Sequence, residues 1–262
     1  MLTILVINSK GGSGKTTLTT NLASYYACKK FRTAIMDYDP QGSSIQWLRV
    51  RPDEAEKIHG ANAAPAKGAI PLRSTHAWVP VDTEVVIIDA PAGVKGLLLQ
   101  EIVRKSNFIV IPVAPSSIDI HATADFIKDL FLFGGARTSK AKIAVVANRV
   151  RSSSSQIYGA LERFLNSLKL PFLTSIHDSE NYLFAAEKGL GVFEMDTAAT
   201  IAERQELMPI FKWLNGQFPE KFASRLDDKV QSIEESRKVT AFRTNAQDTT
   251  NLSSTGKFKG FP

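Results

Sequence analysis

The sequence predicts an α/β protein, with a doubly wound, mostly parallel sheet flanked by helices. Three observations predict it. Short continuous apolar runs, as in Leu2–Ile7, Val85–Ile88 and Phe108–Val113, have the character of strands buried on both faces. Segments with helical spacing of apolar residues separate them, which is the alternation that builds parallel sheets. Several runs end in a carboxylate, an asparagine or a glycine turn, at the edge where such sheets hold ligands.

The first strand, about Thr3–Asn8, is followed by Lys10-Gly11-Gly12-Ser13-Gly14-Lys15-Thr16-Thr17 and then by a helical segment, Leu18–Cys28. Strand, glycine turn and helix form the setting of a phosphate-binding loop. The glycines let the backbone turn its N–H groups towards an anion, and the new helix adds the positive end of its dipole. Lys15 is placed to reach β- and γ-phosphates, Thr16 to hold Mg²⁺ and Thr17 to bond a further phosphate oxygen. Leu18, Leu22, Tyr25 and Tyr26 share one helix face, and core packing accounts for both tyrosines.

The second strand, about Thr33–Met36, ends in Asp37-Tyr38-Asp39-Pro40-Gln41-Gly42-Ser43, with a helix from Gly42 and Ser43 through Trp47 and Leu48. Two carboxylates one residue apart at a strand end suit a metal shell or an attacking water, and a helix N-cap before proline is the plainer alternative. Pro52–Pro80 is rich in Ala, Gly and Pro and reads as a loop or short helix, in which Trp78 is read as core or local packing. Val85–Ile88 ends in Asp89, a Walker B strand whose carboxylate is suited to Mg²⁺ through water.

Leu97–Lys105 reads as a helix, Phe108–Val113 as a strand, and about Ile118–Phe133 as a helix stopped by Gly134-Gly135. Lys142–Ala147 is the next strand, followed by Asn148-Arg149-Val150. Ser152–Ser155 begins a helix carrying Ile157, Leu161, Phe164, Leu165 and Leu168. Phe172–Ile176 is the last strand. Asp178–Lys188 is helical, and about Thr197–Phe218 is a final amphipathic helix. After Pro219 the chain turns charged and, beyond Phe242, rich in Thr, Asn, Ser and Gly, the composition of a mobile tail. The expected division is therefore a nucleotide domain over 1–218 and a tail over 219–262.

Lys10, ahead of the first glycine, makes the loop similar to the deviant Walker A box of the ParA/MinD family of P-loop ATPases. Asp37-x-Asp39-Pro40-Gln41-Gly42-Ser43 resembles the switch I of that family, Pro91–Gly96 its switch II, and Gly189-Leu190-Gly191-Val192-Phe193-Glu194 its Gly-x-x-Val-Phe-Glu turn. Asp89-Ala90-Pro91-Ala92 departs mildly from the usual Asp-x-Pro-Pro. The resemblance covers about 1–218, with a gap at 52–80. It implies a P-loop NTPase fold, ATP and Mg²⁺ as cofactors, and a homodimer closed by ATP. It implies that Lys10 crosses to the partner's nucleotide, that Asp39 positions the hydrolytic water with Asp37 nearer the metal, and that Asn148 reads adenine. It further implies slow hydrolysis stimulated by a small adaptor of ParB type, and a cargo such as a plasmid, a chromosome, a chemoreceptor cluster or a protein compartment.

The 262 residues are 44% hydrophobic, enough for a substantial core, and carry a net charge of +6 with a pI near 9.3. That balance permits an acidic partner. Arg149, Arg151, Arg163, Lys169, Lys188, Arg204 and Lys212 follow the nucleotide motifs, and a non-specific DNA face is expected among them, with Arg163, Lys188, Arg204 and Lys212 as the candidates. No base-reading motif is present. A single cysteine, Cys28, excludes an internal disulfide and fits a reducing compartment. The N-terminus shows no signal-peptide pattern and no apolar run reaches membrane-span length, so a cytoplasmic, nucleoid-associated protein is expected. A membrane-binding ATPase of MinD type is the alternative, weakened by the lack of an apolar stripe in the tail. A metabolic ligase on the same scaffold would need a substrate domain, and a non-hydrolysing module would not need Asp39.

Overall fold

The computed structural model describes residues 1–64, 79–151 and 170–216, together with Gly159, Arg163, Phe164, Asn166 and Ser167. The chain divides into two units, Met1–Leu214 and Asn215–Pro262. Nearly all of the second unit, and with it the expected tail, lies outside the described residues. So do Trp78, Lys169 and the expected helix start Ser152–Ser155.

In chain order the elements are β1 (Leu2–Val6), α1 (Lys15–Cys28), β2 (Thr33–Asp37), α2 (Ser43–Arg49), β3 (Ile58–Asn62), β4 (Val85–Asp89), α3 (Gly96–Lys105), β5 (Phe108–Val113) and α4 (Ser117–Leu132). They continue with β6 (Lys142–Val150), β7 (Phe172–His177), α5 (Glu180–Glu187), a 3-10 turn (Val192–Glu194) and α6 (Ile201–Asn215). The strands form one seven-stranded sheet in the order β3-β2-β4-β1-β5-β6-β7. Every pairing in it is parallel. The expected doubly wound fold is therefore the observed one.

The central strands β1, β2, β4 and β5 are buried along their whole length, as their unbroken apolar runs require. Residues such as Leu5, Ile88, Ile109 and Val145 build the core with Ile102 of α3 and Leu130 of α4. On α1, Tyr25 stacks on Phe211 with ring centroids 3.5 Å apart, and Tyr26 is fully buried against Phe31, so both tyrosines pack the core.

Pro52–Pro80 needs correction. Ile58–Asn62 is a strand, in register with β2 from Thr33↔Ile58 to Asp37↔Asn62. It occupies the sheet edge, with a mostly exposed pattern and a glycine in the middle, so it lacks the apolar run that marks the inner strands. Gly60 lets α2 pack close, since a Cβ there would lie 2.6 Å from Leu48 Cδ1 and make that side chain shift. β6 also runs further than its apolar run, through Asn148 and Arg149 to Val150, and its register against β7 shifts between Val145 and Ala147 and again before Val150. The last helix begins at Ile201 rather than Thr197.

Register brings the site together. Val6, Asp37 and Asp89 are level across β1, β2 and β4, so the P-loop and both acidic strand ends emerge side by side at one sheet edge.

Candidate nucleotide site

The loop after β1 turns through two left-handed glycines, Gly12 at φ 77° and Gly14 at φ 84°. Gly14 leads directly into α1 and lies against Asn148, where a Cβ would stand 2.0 Å from Asn148 Nδ2. Only glycine satisfies both the backbone and that approach. Asn148 Nδ2 donates to Ser13 O at 2.8 Å, and Asn8 Nδ2 donates to Pro112 O at 2.7 Å, so a buried asparagine braces each side of the loop. The next residue, Arg149, is a non-glycine at φ 58°, and its Nη1 donates to Gly12 O at 3.3 Å.

A cavity of about 600 Å³ opens over this loop. Gly11, Gly12, Gly14, Lys15, Thr16, Thr17, Asp39 and Asn148 all line it, as do Gln41, Ala92, Arg149 and, at the far end, Asp178, Tyr182 and Leu183. Lys15 Nζ donates to Lys10 O at 2.9 Å. Burial lowers the Lys15 pKa, opposed by the nearby carboxylates of Asp89 and Asp39. Ser13 is buried with its hydroxyl on Lys10 O, so it shapes the loop from within.

Beneath the phosphate end, Asp89 Oδ2 accepts from Thr16 Oγ1 at 2.9 Å and from Ser44 Oγ. Burial pushes the Asp89 carboxyl up to about 6, against the two hydroxyl bonds, while the neighbouring Asp37 adds to the rise. Asp89 Oδ1 is buried and has no hydrogen-bond partner among the described residues. An orphaned carboxylate oxygen beside a threonine hydroxyl at the loop is a donor set that suits a hard divalent cation such as Mg²⁺. Among the described residues no three His, Cys, Asp or Glu side chains gather as a metal cluster, so such an ion would complete its shell with water and phosphate.

Asp37 departs from the expected metal-shell placement. It is fully buried, and its oxygens accept from the backbone N–H groups of Asp39 (2.9 Å), Ser44 (3.0 Å) and Ile45 (3.3 Å). It caps α2 and folds the connecting loop. Burial raises its pKa, and these N–H bonds oppose the rise. Asp39, half-buried, faces the cavity and accepts from Gln41 N at 2.9 Å. Ser44 was missed by sequence reasoning; its place in the first turn of α2, on the same buried face as Trp47, was the available signal.

Lys10 is not among the cavity-lining residues. Its Nζ lies 3.7 Å from Asp119 Oδ1 on the first turn of α4, and its side chain is 39% exposed. The basic candidates separate. Arg163, Lys188 and Lys212 are exposed. Arg149 and Arg151 share Asp178. Arg204 corrects the expectation: its guanidinium bonds Val192 O, Met195 O and the hydroxyls of Thr200 and Thr197, and lies over Phe193, so it staples a turn.

The profile described as the CobQ/CobB/MinD/ParA nucleotide binding domain matches residues 4–192. The chain belongs to that family. The CobQ/CobB/MinD/ParA match spans the loop and both acidic strand ends and reaches the start of the turn at Gly191 and Val192. Among similar proteins, the maintenance of carboxysome distribution protein A of Halothiobacillus neapolitanus is 28% identical over 200 residues, covering 74% of this chain and 87% of that protein. The chromosome-partitioning ATPase Soj of Thermus thermophilus is 32% identical over 117 residues, 44% of this chain and 46% of that protein. Among solved structures, apo McdA of Cyanothece superposes with a TM-score of 0.60 at 15% identity, covering 79% of this chain and 98% of that one. MinD of Aquifex aeolicus gives 0.61 at 16%, covering 84% and 98%. These two share the fold. The chain is thus a nucleotide-binding domain of the CobQ/CobB/MinD/ParA family, and the relatives named here are a carboxysome-distribution protein and a chromosome-partitioning ATPase.

Proposed function

We propose that this chain is a Mg²⁺-dependent ATPase that dimerises on ATP, binds DNA without sequence preference and positions a cargo. The observation that carries the reading is the convergence of Lys15, Thr16 and Asp39 on one cavity, with Asp89 directly behind Thr16. In this reading Lys15 exchanges the Lys10 carbonyl for β- and γ-phosphate oxygens, and Thr17 and the loop N–H groups hold the remaining ones. Thr16 and Asp89 would hold Mg²⁺, which would neutralise phosphate charge. Asp39 orients the attacking water. Asn148 fixes the loop by its Nδ2, leaving its carbonyl oxygen for adenine.

Lys10 would leave Asp119 to cross to the partner's phosphates, so two subunits close the site together. Arg163, Lys188 and Lys212 are the phosphate contacts on DNA, doubled by dimerisation, and an adaptor of ParB type stimulates turnover. Residues 1–218 form the ATPase and 219–262 a tail, in a cytoplasmic, nucleoid-associated protein.

The test combines three readouts. Asp39→Ala should bind ATP and dimerise yet lose turnover, and Lys10→Ala should bind ATP and stay monomeric by light scattering. Filter binding of the Asp39→Ala protein with ATP should retain unrelated duplexes at low salt and release them steeply as salt rises. Equal turnover in wild type and Asp39→Ala refutes the water-positioning role. Binding to anionic lipid vesicles with none to DNA replaces the DNA face with a membrane face.

A further inference from the structure

Ser44 is the one hydroxyl in the polar cluster under the phosphate end that no motif explains. It is fully buried at the start of α2, just past the left-handed Gly42. Its backbone N–H donates to Asp37 Oδ2 at 3.0 Å while its Oγ donates to Asp89 Oδ2. It therefore holds two different acidic strand ends at once, that of β2 through the backbone and that of β4 through the side chain. Thr16 Oγ1 donates to the same Asp89 oxygen from α1. Two hydroxyls from two helices thus converge on one carboxylate oxygen and leave the other, Oδ1, buried without a partner among the described residues. A carboxylate held by one oxygen so that its second oxygen stays available is the arrangement by which an outer-shell donor orients a metal-binding group.

We propose that Ser44 is the positioning residue that fixes the Asp89 carboxylate for a divalent cation and ties that carboxylate to the Asp37–Ser44 loop carrying Asp39. The inference rests on the reading of the cavity as a Mg²⁺–ATP site. Asp39 lies between two pinned points, Asp37 and Ser44, and is itself held through Asp39 N to Asp37 Oδ1. Loss of the Ser44 hydroxyl leaves the backbone bonds of Ser44 and Ile45 to Asp37 in place but cuts the tie from that loop to β4, and lets Asp89 rotate about its remaining bond to Thr16. The first effect of losing that one side-chain bond is therefore on the Asp89 carboxylate and its cation affinity, while the backbone bonds to Asp37 keep the loop that carries Asp39 in place.

The experiment titrates Mg²⁺ into wild type, Ser44→Ala and Ser44→Thr in the presence of a fluorescent ATP analogue, and reads the Mg²⁺ midpoint of nucleotide binding with the thermal midpoint alongside. Removing an outer-shell donor typically weakens metal binding about 10- to 100-fold. Ser44→Ala should therefore need at least about 10-fold more Mg²⁺ for half-binding, with nucleotide affinity restored at saturating Mg²⁺. An unchanged midpoint in a Ser44→Ala protein that binds the analogue overturns the proposal. If Ser44→Ala does not fold, Ser44→Thr decides: a wild-type midpoint supports the hydroxyl's role and a shifted one rejects it. Wild type that fails to bind the analogue at any Mg²⁺ concentration overturns the nucleotide reading itself, and the inference with it.

Discussion

Arg51 follows α2 and forms a buried ion pair with Glu194, the two side chains being 6% and 8% exposed. Arg51→Ala should be among the most destabilising substitutions in the domain. The guanidinium donates to Glu56 O from Nε (2.9 Å) and Nη2 (2.7 Å), to Gly189 O from Nη1 (2.9 Å), and to both oxygens of Glu194. It also lies over the Trp47 ring, 5.2 Å from its centroid. Removing it strands a buried carboxylate that, among the described residues, keeps the Gly191 N–H at 2.9 Å. Breaking a buried pair from one side costs about 3–5 kcal/mol. For a domain of this size that lowers the thermal midpoint by roughly 6–20 °C. The comparison is Lys128→Ala, which removes a pair with partners 70% and 76% exposed and should shift the midpoint by about 2 °C or less. Differential scanning calorimetry measures both, and Arg51→Met with Glu194→Gln should recover much of the loss because no charge is left unpaired. Equal shifts for Arg51→Ala and Lys128→Ala would refute the claim that this pair holds α2 to the 189–194 turn.

Gly14→Ala should abolish binding of a fluorescent ATP analogue, since it adds left-handed strain and a Cβ 2.0 Å from Asn148 Nδ2; retained affinity would show that the loop relaxes freely. Without Mg²⁺ and nucleotide, Asp89 titrates at about 6, above its ordinary 3.8. The folded state then holds a proton that the unfolded state releases between those values, so the thermal midpoint should rise as pH falls from about 6 to 4. Asp89→Asn should reduce that slope, and an unchanged slope would remove Asp89 as its source. Burial, then Glu194, raises the Cys28 thiol from 9.0 to about 11. Its alkylation at pH 8 should therefore run about 100-fold slower than that of an ordinary thiol and recover in denaturant. An ordinary rate in the native protein would show that the thiol is not shielded.

The parts of the site legible in the sequence were those where local chemistry and local geometry coincide. Gly12, Gly14, Lys15 and Thr16 are neighbours in the chain and in space, and Asp39 and Asp89 stand at the ends of readable strands. The role of Asp37 was not legible, because its N–H donors, Ser44 and Ile45, come from the helix that follows and depend on how the loop folds back. Ser44 and Asp119 were missed because their partners, Asp89 and Lys10, are 45 and 109 positions away. β3 escaped notice for a different reason: an exposed edge strand has no need of the apolar run that exposes an inner one. Arg204 carried the opposite error, since charge alone does not reveal that a guanidinium is turned inward on carbonyls.

Asn148 and Arg149 are adjacent, and in a regular strand adjacent side chains point to opposite faces. Here both reach the glycine loop, one at Ser13 O and the other at Gly12 O, because the left-handed Arg149 and the register shifts of β6 break the alternation. The grip on the loop is thus stored in an irregularity of a strand. A one-residue deletion between Val145 and Asn148 would change the pleat and swing Asn148 or Arg149 away from the loop, while the loop residues Gly11–Thr17 stayed the same. Homologues with a straight sixth strand would have to hold this loop by other means, and comparing residues at matched positions there would pair side chains that face opposite ways.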